Sequence, residues 1–253
     1  MQSGYGITYS PYNSDGSCKS QDQVTADFEQ ITGYSSVRIY GTDCDQVSNV
    51  LAASQAKDMK LFTGVYDITQ LESELNTIIS ACSGSWSTVD TIGIGNELVN
   101  AGTASSADVV NAVNTARAIL RAAGYAGPVV TVDTFDALIN NPELCLASDY
   151  AAANCHAFFA SDVSASEAGA YVLSQAQQVS LACNRKHTVI TESGWPKEGQ
   201  TNGAAIPSVE NQQAAIDSLR ENFSSSLVLF NAFDDDWKQP GAFDAEQHWG
   251  MLN

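Results

Sequence analysis

Two short segments of this chain place a carboxylate at the end of a β-prone run. Gly95-Asn96-Glu97 follows the apolar stretch 89–94, and Thr191-Glu192-Ser193-Gly194-Trp195-Pro196 continues the stretch 187–190. An acetal between two sugars breaks when its oxygen is protonated while positive charge on the anomeric carbon is stabilised, so two carboxyl groups in different protonation states must flank the bond. Glu97 and Glu192 are the candidates for that pair. The bland alternative is that they are two of 29 acidic residues, most of which belong on a solvated surface. The buried character of the preceding runs, and the Gly, Asn, Trp and Pro around both glutamates, favour a tight site.

Positioning two such groups requires a scaffold, and the hydrophobic pattern supplies one. Strand-like segments recur at 5–10, 36–40, 60–66, 91–97, 128–133, 151–158, 188–192 and 227–232. Helical patterns follow most of them, at 22–32, 45–56, 70–81, 106–123, 164–182 and 208–222. Eight strand-helix units predict an α/β protein, a compact (β/α)₈ TIM barrel over residues 1–253 as a single domain. The last unit must be reduced, because only 237–253 remain after the eighth strand. On this map Glu97 closes the fourth strand and Glu192 the seventh, on the C-terminal face where barrel active sites lie. Tyr9, Tyr12, Arg38, Tyr40, Tyr66, Asp133, Asp136, Asn154, His156 and the run 233–238, with Asp235, Trp237 and Lys238, gather at the same rim. Aromatic rings and carboxylates around a groove suit a carbohydrate, whose faces stack and whose hydroxyls need acceptors. Arg38 reads equally as a buried cation balancing the rim carboxylates. Trp86 reads as core, and Trp195 is expected to stack on sugar rather than brace its loop. The run Asp234-Asp235-Asp236 lacks the spacing and glycine of a calcium loop. No metal and no cofactor are expected.

Composition narrows the partners. Eleven basic against 29 acidic residues give a net charge of −18, which disfavours nucleic acid and acidic lipid surfaces. No apolar run approaches the length of a membrane span, and a soluble monomer is expected. The six cysteines match no zinc spacing, so disulfides in an oxidising compartment are expected. Cys18 and Cys44 follow the first two strands at the rim and form the first candidate pair. Cys145 lies close to both Cys155 and Cys183, and Cys82 has no evident neighbour. The first five residues show no charged or apolar leader, so any signal peptide has been removed. One sequon, Asn222-Phe223-Ser224, is compatible with secretion.

The motifs together resemble glycoside hydrolase family 17, in particular the compact fungal cell-wall β-1,3-glucanases and glucanosyltransferases. The resemblance rests on Tyr5-Gly6-Ile7-Thr8-Tyr9, Val37-Arg38-Ile39-Tyr40-Gly41, Gly95-Asn96-Glu97, Thr191-Glu192-Ser193-Gly194-Trp195-Pro196, Phe233-Asp234-Asp235-Asp236-Trp237-Lys238 and His248-Trp249-Gly250. It implies that Glu97 is the general acid/base and Glu192 the nucleophile of a retaining mechanism, with Asn96 on the sugar 2-hydroxyl and Tyr40 on the nucleophile. Asp235 and Lys238 would contact substrate or brace the site, with Glu246 as a further match. Trp237 and Phe158 are candidates for sugar platforms on the leaving-group side. The implied partner is β-1,3-glucan, the implied activity endo-glucanase and glucanosyltransferase, and the implied location secreted, extracellular or cell wall. Two positions depart from the pattern: Asp235 stands where many relatives carry Glu, and 154–159 reads Asn-Cys-His-Ala-Phe-Phe where plant members favour tyrosines and a proline. Competing readings are a β-1,4-glucanase or mannanase on the same barrel, and a catalytically silent glucan-binding wall protein, which would have no need of both glutamates.

Overall fold

The computed structural model describes residues 4–252. Eight parallel strands, β1 Gly6–Thr8, β2 Ser36–Arg38, β3 Lys60–Val65, β4 Val89–Asn96, β5 Val129–Thr134, β6 Ala151–Asn154, β7 Thr188–Ser193 and β8 Leu227–Leu229, close into a barrel in sequence order. The circuit is completed by β1 against β8, through Gly6 with Val228 and Ile7 with Leu229. Eight helices lie between the strands: α1 Gln21–Gln30, α2 Gln46–Ala56, α3 Leu71–Cys82, α4 Ser106–Ala122, α5 Phe135–Asn140, α6 Glu143–Ala147, α7 Ala168–Ala182 and α8 Val209–Asn222. The expected (β/α)₈ barrel and its reduced last unit are both present; among the described residues, a 3₁₀ turn at Ala242–Asp244 is the one helical element after β8.

Local chemistry accounts for the element starts. Ser20 and Gln23 form a capping box on α1, and Ser105 and Asp108 form one on α4. The buried residues of α4, Val109, Ala112, Val113, Ala116 and Leu120, recur at helical spacing and form one stripe against the sheet. Inside the barrel, Phe62, Val130, Val132, Tyr150, Ala152 and Val189 pack as a separate cluster, and the Phe62 ring lies 5.0 Å below the Arg38 guanidinium. This plug is the floor of the candidate site.

The structure corrects several sequence expectations. The sixth strand ends at Asn154 rather than at 158, and the chain turns into a 3₁₀ helix at Ala157–Phe159; an apolar run alone does not separate the two. The eighth strand stops at Leu229. Two short helices, α5 and α6, occupy a stretch whose sequence shows no helical pattern, since six and five residues are too few to show a period. Cys18–Cys44 is bonded as expected, with Cα atoms 5.2 Å apart. Of the two partners open to Cys145, Cys183 takes it, with Cα atoms 5.9 Å apart. Cys155 is therefore not a disulfide cysteine; it and Cys82 are buried thiols, and burial pushes the Cys82 thiol up to about 12.

Candidate active site

The tip of β4 is bent to aim its last residues inward. Gly95 and Glu97 both adopt left-handed backbone, at φ +77° and +56°, and the register against β5 slips between Gly93 and Asn96. Glycine is required at 95, because a Cβ there would sit 2.6 Å from Leu98 Cδ1 as well as straining φ. Asp133 holds the segment beyond the tip by accepting from the Val99 and Asn100 amides at 3.0 and 3.3 Å, and also accepts from the amide of its own neighbour Thr134 at 2.8 Å. It was expected to bind substrate, but it is buried and braces the loop from behind. At β7 the register shifts so that Glu192 pairs with Asn154, and Gly194 packs so tightly on β8 that an added Cβ would lie 1.9 Å from the Phe230 carbonyl oxygen.

A polar network joins the two glutamates. Arg38 Nη1 donates to Glu192 Oε1 at 2.9 Å and to Asn154 Oδ1 at 3.2 Å, and Nη2 donates to Asn96 Oδ1 at 2.9 Å. Tyr40 donates its hydroxyl to Glu192 Oε1 at 2.8 Å. Asn154 Nδ2 in turn donates to Glu97 Oε1 at 2.8 Å and to Asn96 Oδ1 at 3.1 Å. His156 Nε2 lies 3.3 Å from the other carboxylate oxygen, Glu192 Oε2. Asn96 thus spends its carbonyl on Arg38 and Asn154, which leaves its amide Nδ2 as a donor toward the groove it lines.

The two carboxyl groups are driven apart electrostatically. Burial alone would raise Glu192, but the Arg38 charge, His156 and the Tyr40 hydroxyl outweigh it and hold the group down at about 2. Glu97 moves the other way: burial, and then the negative charge of Glu192, push it above the usual carboxylate range, against the Asn154 hydrogen bond. One group is held ionised while its neighbour keeps its proton to higher pH, which is how acid and base roles are separated between like side chains.

These groups stand at the foot of a groove of about 770 Å³. Tyr12 and Trp237 form one wall, ring centroids 4.7 Å apart. Phe159, Phe230 and Trp249 surround His156 on another. Of the residues expected at the site, Tyr9, Tyr40, Asn96, Glu97, His156, Glu192, Trp237, Lys238 and Glu246 line the groove. Tyr9 contributes only ring surface, since its hydroxyl is spent on Asp27 at 2.6 Å. Arg38 lies buried beneath the groove. Asp235 accepts from Asn231 Nδ2, Trp237 Nε1 and Lys238 Nζ at 2.7, 3.0 and 3.0 Å, bracing the wall instead of lining it.

Two expected sugar platforms are elsewhere. Trp195 is fully buried and donates Nε1 to the Ile206 carbonyl at 3.0 Å; it lies two residues past the end of β7 at Ser193. Phe158 is also fully buried, edge-on to Trp195 at 5.4 Å. Its neighbour Phe159 is 44% exposed and reaches the groove, because the 3₁₀ turn resets the strand parity. Phe159, Phe230 and Trp249 were missed as site residues, and Asn154 was placed at the rim without its link between the glutamates. Trp249 had a signal, the His-Trp-Gly motif, but nothing local aims its ring.

A closed parallel barrel with an acid and a carboxylate at the tips of its fourth and seventh strands, below an aromatic groove, defines a (β/α)₈ glycosidase scaffold. Residues 6–250 match the family model described as the BtgE/BtgC glycoside hydrolase domain, and the chain belongs to that family, within glycoside hydrolase family 17. It is 50% identical to the probable family 17 glucosidase SCW10 of Saccharomyces cerevisiae, covering 98% of this chain and 64% of that protein. It is 48% identical to the cell surface mannoprotein MP65 of Candida albicans, covering 98% and 66%. The chain thus spans just under two thirds of the length of these curated relatives. Among solved structures it is similar to the family 17 β-1,3-glucanosyltransferase from Rhizomucor miehei, with TM-score 0.80 and 26% identity over 98% of this chain and 92% of that one. An active-site mutant of that β-1,3-glucanosyltransferase, in complex with laminaritriose, gives TM-score 0.79 at 25% identity, over the same shares.

Proposed function

We propose that this chain is a retaining β-1,3-glucan-active enzyme that both hydrolyses and transfers, with Glu192 as nucleophile and Glu97 as general acid/base. The observation that carries the reading is the opposed electrostatics of the pair, Glu192 held ionised by Arg38, His156 and Tyr40 and Glu97 pushed up by burial and by Glu192. Glu192 attacks the anomeric carbon while Glu97 protonates the departing oxygen, giving a glycosyl-enzyme ester. Ester formation removes the Glu192 charge. The electrostatic push on Glu97 then falls away, so the group that has just lost its proton is a carboxylate suited to take one from water or from a sugar hydroxyl. Asn96 Nδ2 serves the 2-hydroxyl. The aromatic walls hold an acceptor sugar against the ester and displace water, which favours transfer.

The substrate assignment draws on the laminaritriose complex of the Rhizomucor miehei relative. A location outside the cell, at the wall, draws on the two disulfides and on the cell-surface relative, and a monomeric single domain suits one closed barrel. The test is the product profile from laminaripentaose at millimolar concentration, beside cello- and manno-oligosaccharides. Products longer than the starting sugar are expected from laminaripentaose. Shorter products only would leave a plain glucanase, cleavage of the other series would move the substrate class, and no products at all would favour a silent glucan binder.

A further inference from the structure

Glu192 is held unevenly. Oε1 takes both strong donors, Arg38 Nη1 at 2.9 Å and Tyr40 at 2.8 Å, whereas Oε2 faces a single nitrogen, His156 Nε2, at 3.3 Å. Two donors on one oxygen anchor that oxygen but leave the carboxylate free to swing about it, and only a third contact, on Oε2, fixes its plane. Oε2 is also the oxygen with lone-pair capacity to spare, so it is the one able to attack.

The surroundings of His156 decide what it can offer. Its ring meets Trp249, Phe230 and Phe159 edge to face, at centroid distances of 4.9, 5.2 and 6.2 Å. Its Nδ1 is buried and has no hydrogen-bond partner. A proton on Nδ1 would be a buried donor without an acceptor, which costs more than a bare lone pair there. The proton therefore belongs on Nε2, which points at Glu192. The charged groups facing the ring are Glu192 on β7 and Glu97 on β4, with Lys238 held 5.1 Å from the Phe230 ring.

We infer that His156 is a positioning residue that fixes the plane of the Glu192 carboxylate through one Nε2–H hydrogen bond to Oε2, the attacking oxygen, and gives that bond up as the glycosyl-enzyme forms. The inference rests on the assignment of Glu192 as nucleophile. In the step, the Glu192 Oε2–C1 bond forms and the C1–oxygen glycosidic bond breaks. Its electron pair stays on the departing oxygen, which takes the Glu97 proton; His156 loses no proton. Oε2 becomes the ester oxygen, a poor acceptor, while Oε1 becomes the carbonyl still held by Arg38 and Tyr40.

Covalent labelling with 2-deoxy-2-fluoro-laminaribiosyl fluoride, followed by intact mass and peptide mapping, tests this. The wild-type protein should label at Glu192. His156→Phe, which fits the aromatic box without an N–H, should label about 10–100-fold more slowly at saturation with unchanged half-saturating concentration. His156→Gln, which restores a donor, should recover most of that rate. If the Phe variant does not fold, His156→Asn, whose amide is too short to reach, replaces it. Labelling of the Phe variant at or above the wild-type rate, or equal slowing of the Phe and Gln variants, overturns the inference while leaving Glu192 in place. Absence of label on wild-type Glu192 overturns the nucleophile assignment and this inference with it.

Discussion

At the scale of single residues the site depends on keeping two similar side chains in opposite states. Glu97→Gln removes the acid and should lower turnover of laminari-oligosaccharides about 10²–10⁴-fold. Glu192→Gln should cost more, with the far-ultraviolet circular dichroism of both variants unchanged. Azide should rescue Glu192→Ala to a product of inverted configuration, seen by NMR of the anomeric proton, because a small anion can occupy the vacated face. The pair also predicts a titration. Glu97 is raised by burial first and by the Glu192 charge second, so in Glu192→Gln its carboxyl should titrate lower than in the wild type yet stay above the ordinary range, read by ¹³C NMR. For stability the sign follows from Glu192, held at about 2 against an ordinary 4.5. Its ionised form stabilises the fold above the ordinary value, and that contribution is lost as pH falls from about 4.5 toward 2. Wild-type thermal stability should therefore drop through this window by more than that of Glu192→Gln.

The elements act by aiming these residues, and their tightest point is the contact of β7 with β8. A Cβ on Gly194 would meet the Phe230 carbonyl oxygen at 1.9 Å, a clash with backbone that no side-chain motion relieves. Gly194→Ala should cost about 1–3 kcal/mol or more and lower Tm by about 2–4 °C for each kcal/mol. The same shift should reduce activity, since Glu192 lies two residues upstream on the strand that must move. An unchanged Tm would mean that the two strand ends are not packed as described. Asp133 works at the same scale from β5, the neighbour of β4, where its acceptances from the Val99 and Asn100 amides position the turn after Glu97.

For the whole molecule the surface is strongly acidic, and many cations are committed to ion pairs: Lys19 with Asp27, Lys57 with Glu29, Arg117 and Arg121 with Asp149, Lys238 with Asp235. Two disulfides fasten the outer shell. Cys18–Cys44 ties the rim after β1 to the rim after β2, and Cys145–Cys183 ties α6 to the end of α7. With separations of 26 and 38 residues, each should contribute about 3–4 kcal/mol by restricting the unfolded chain. Reductant should therefore lower Tm by roughly 6–16 °C per bridge. Thiol titration of the denatured, unreduced protein should count two groups, Cys82 and Cys155, and a count of zero or six would contradict the pairing.

The sequence by itself determined the eight-strand barrel, the placement of Glu97 and Glu192 at the tips of its fourth and seventh strands, and the Cys18–Cys44 bridge. Each follows from short-range patterns: apolar runs of strand length, capping residues, and the rule that consecutive parallel strands lie side by side. What surrounds the glutamates was decided by tertiary structure. Phe159 rather than Phe158 reaches the groove because a 3₁₀ turn follows β6, and Trp195 is buried because it lies past the end of β7, packed edge-on against Phe158. Asp133 braces a loop from a neighbouring strand, and Cys145 joins Cys183 rather than Cys155 through the docking of α6 on α7. The relay from Arg38 through Asn154 to Glu97 joins three strands. Register slips and turns of one residue reverse the face a side chain presents, and they are set by contacts between elements distant in sequence, so no local pattern records them.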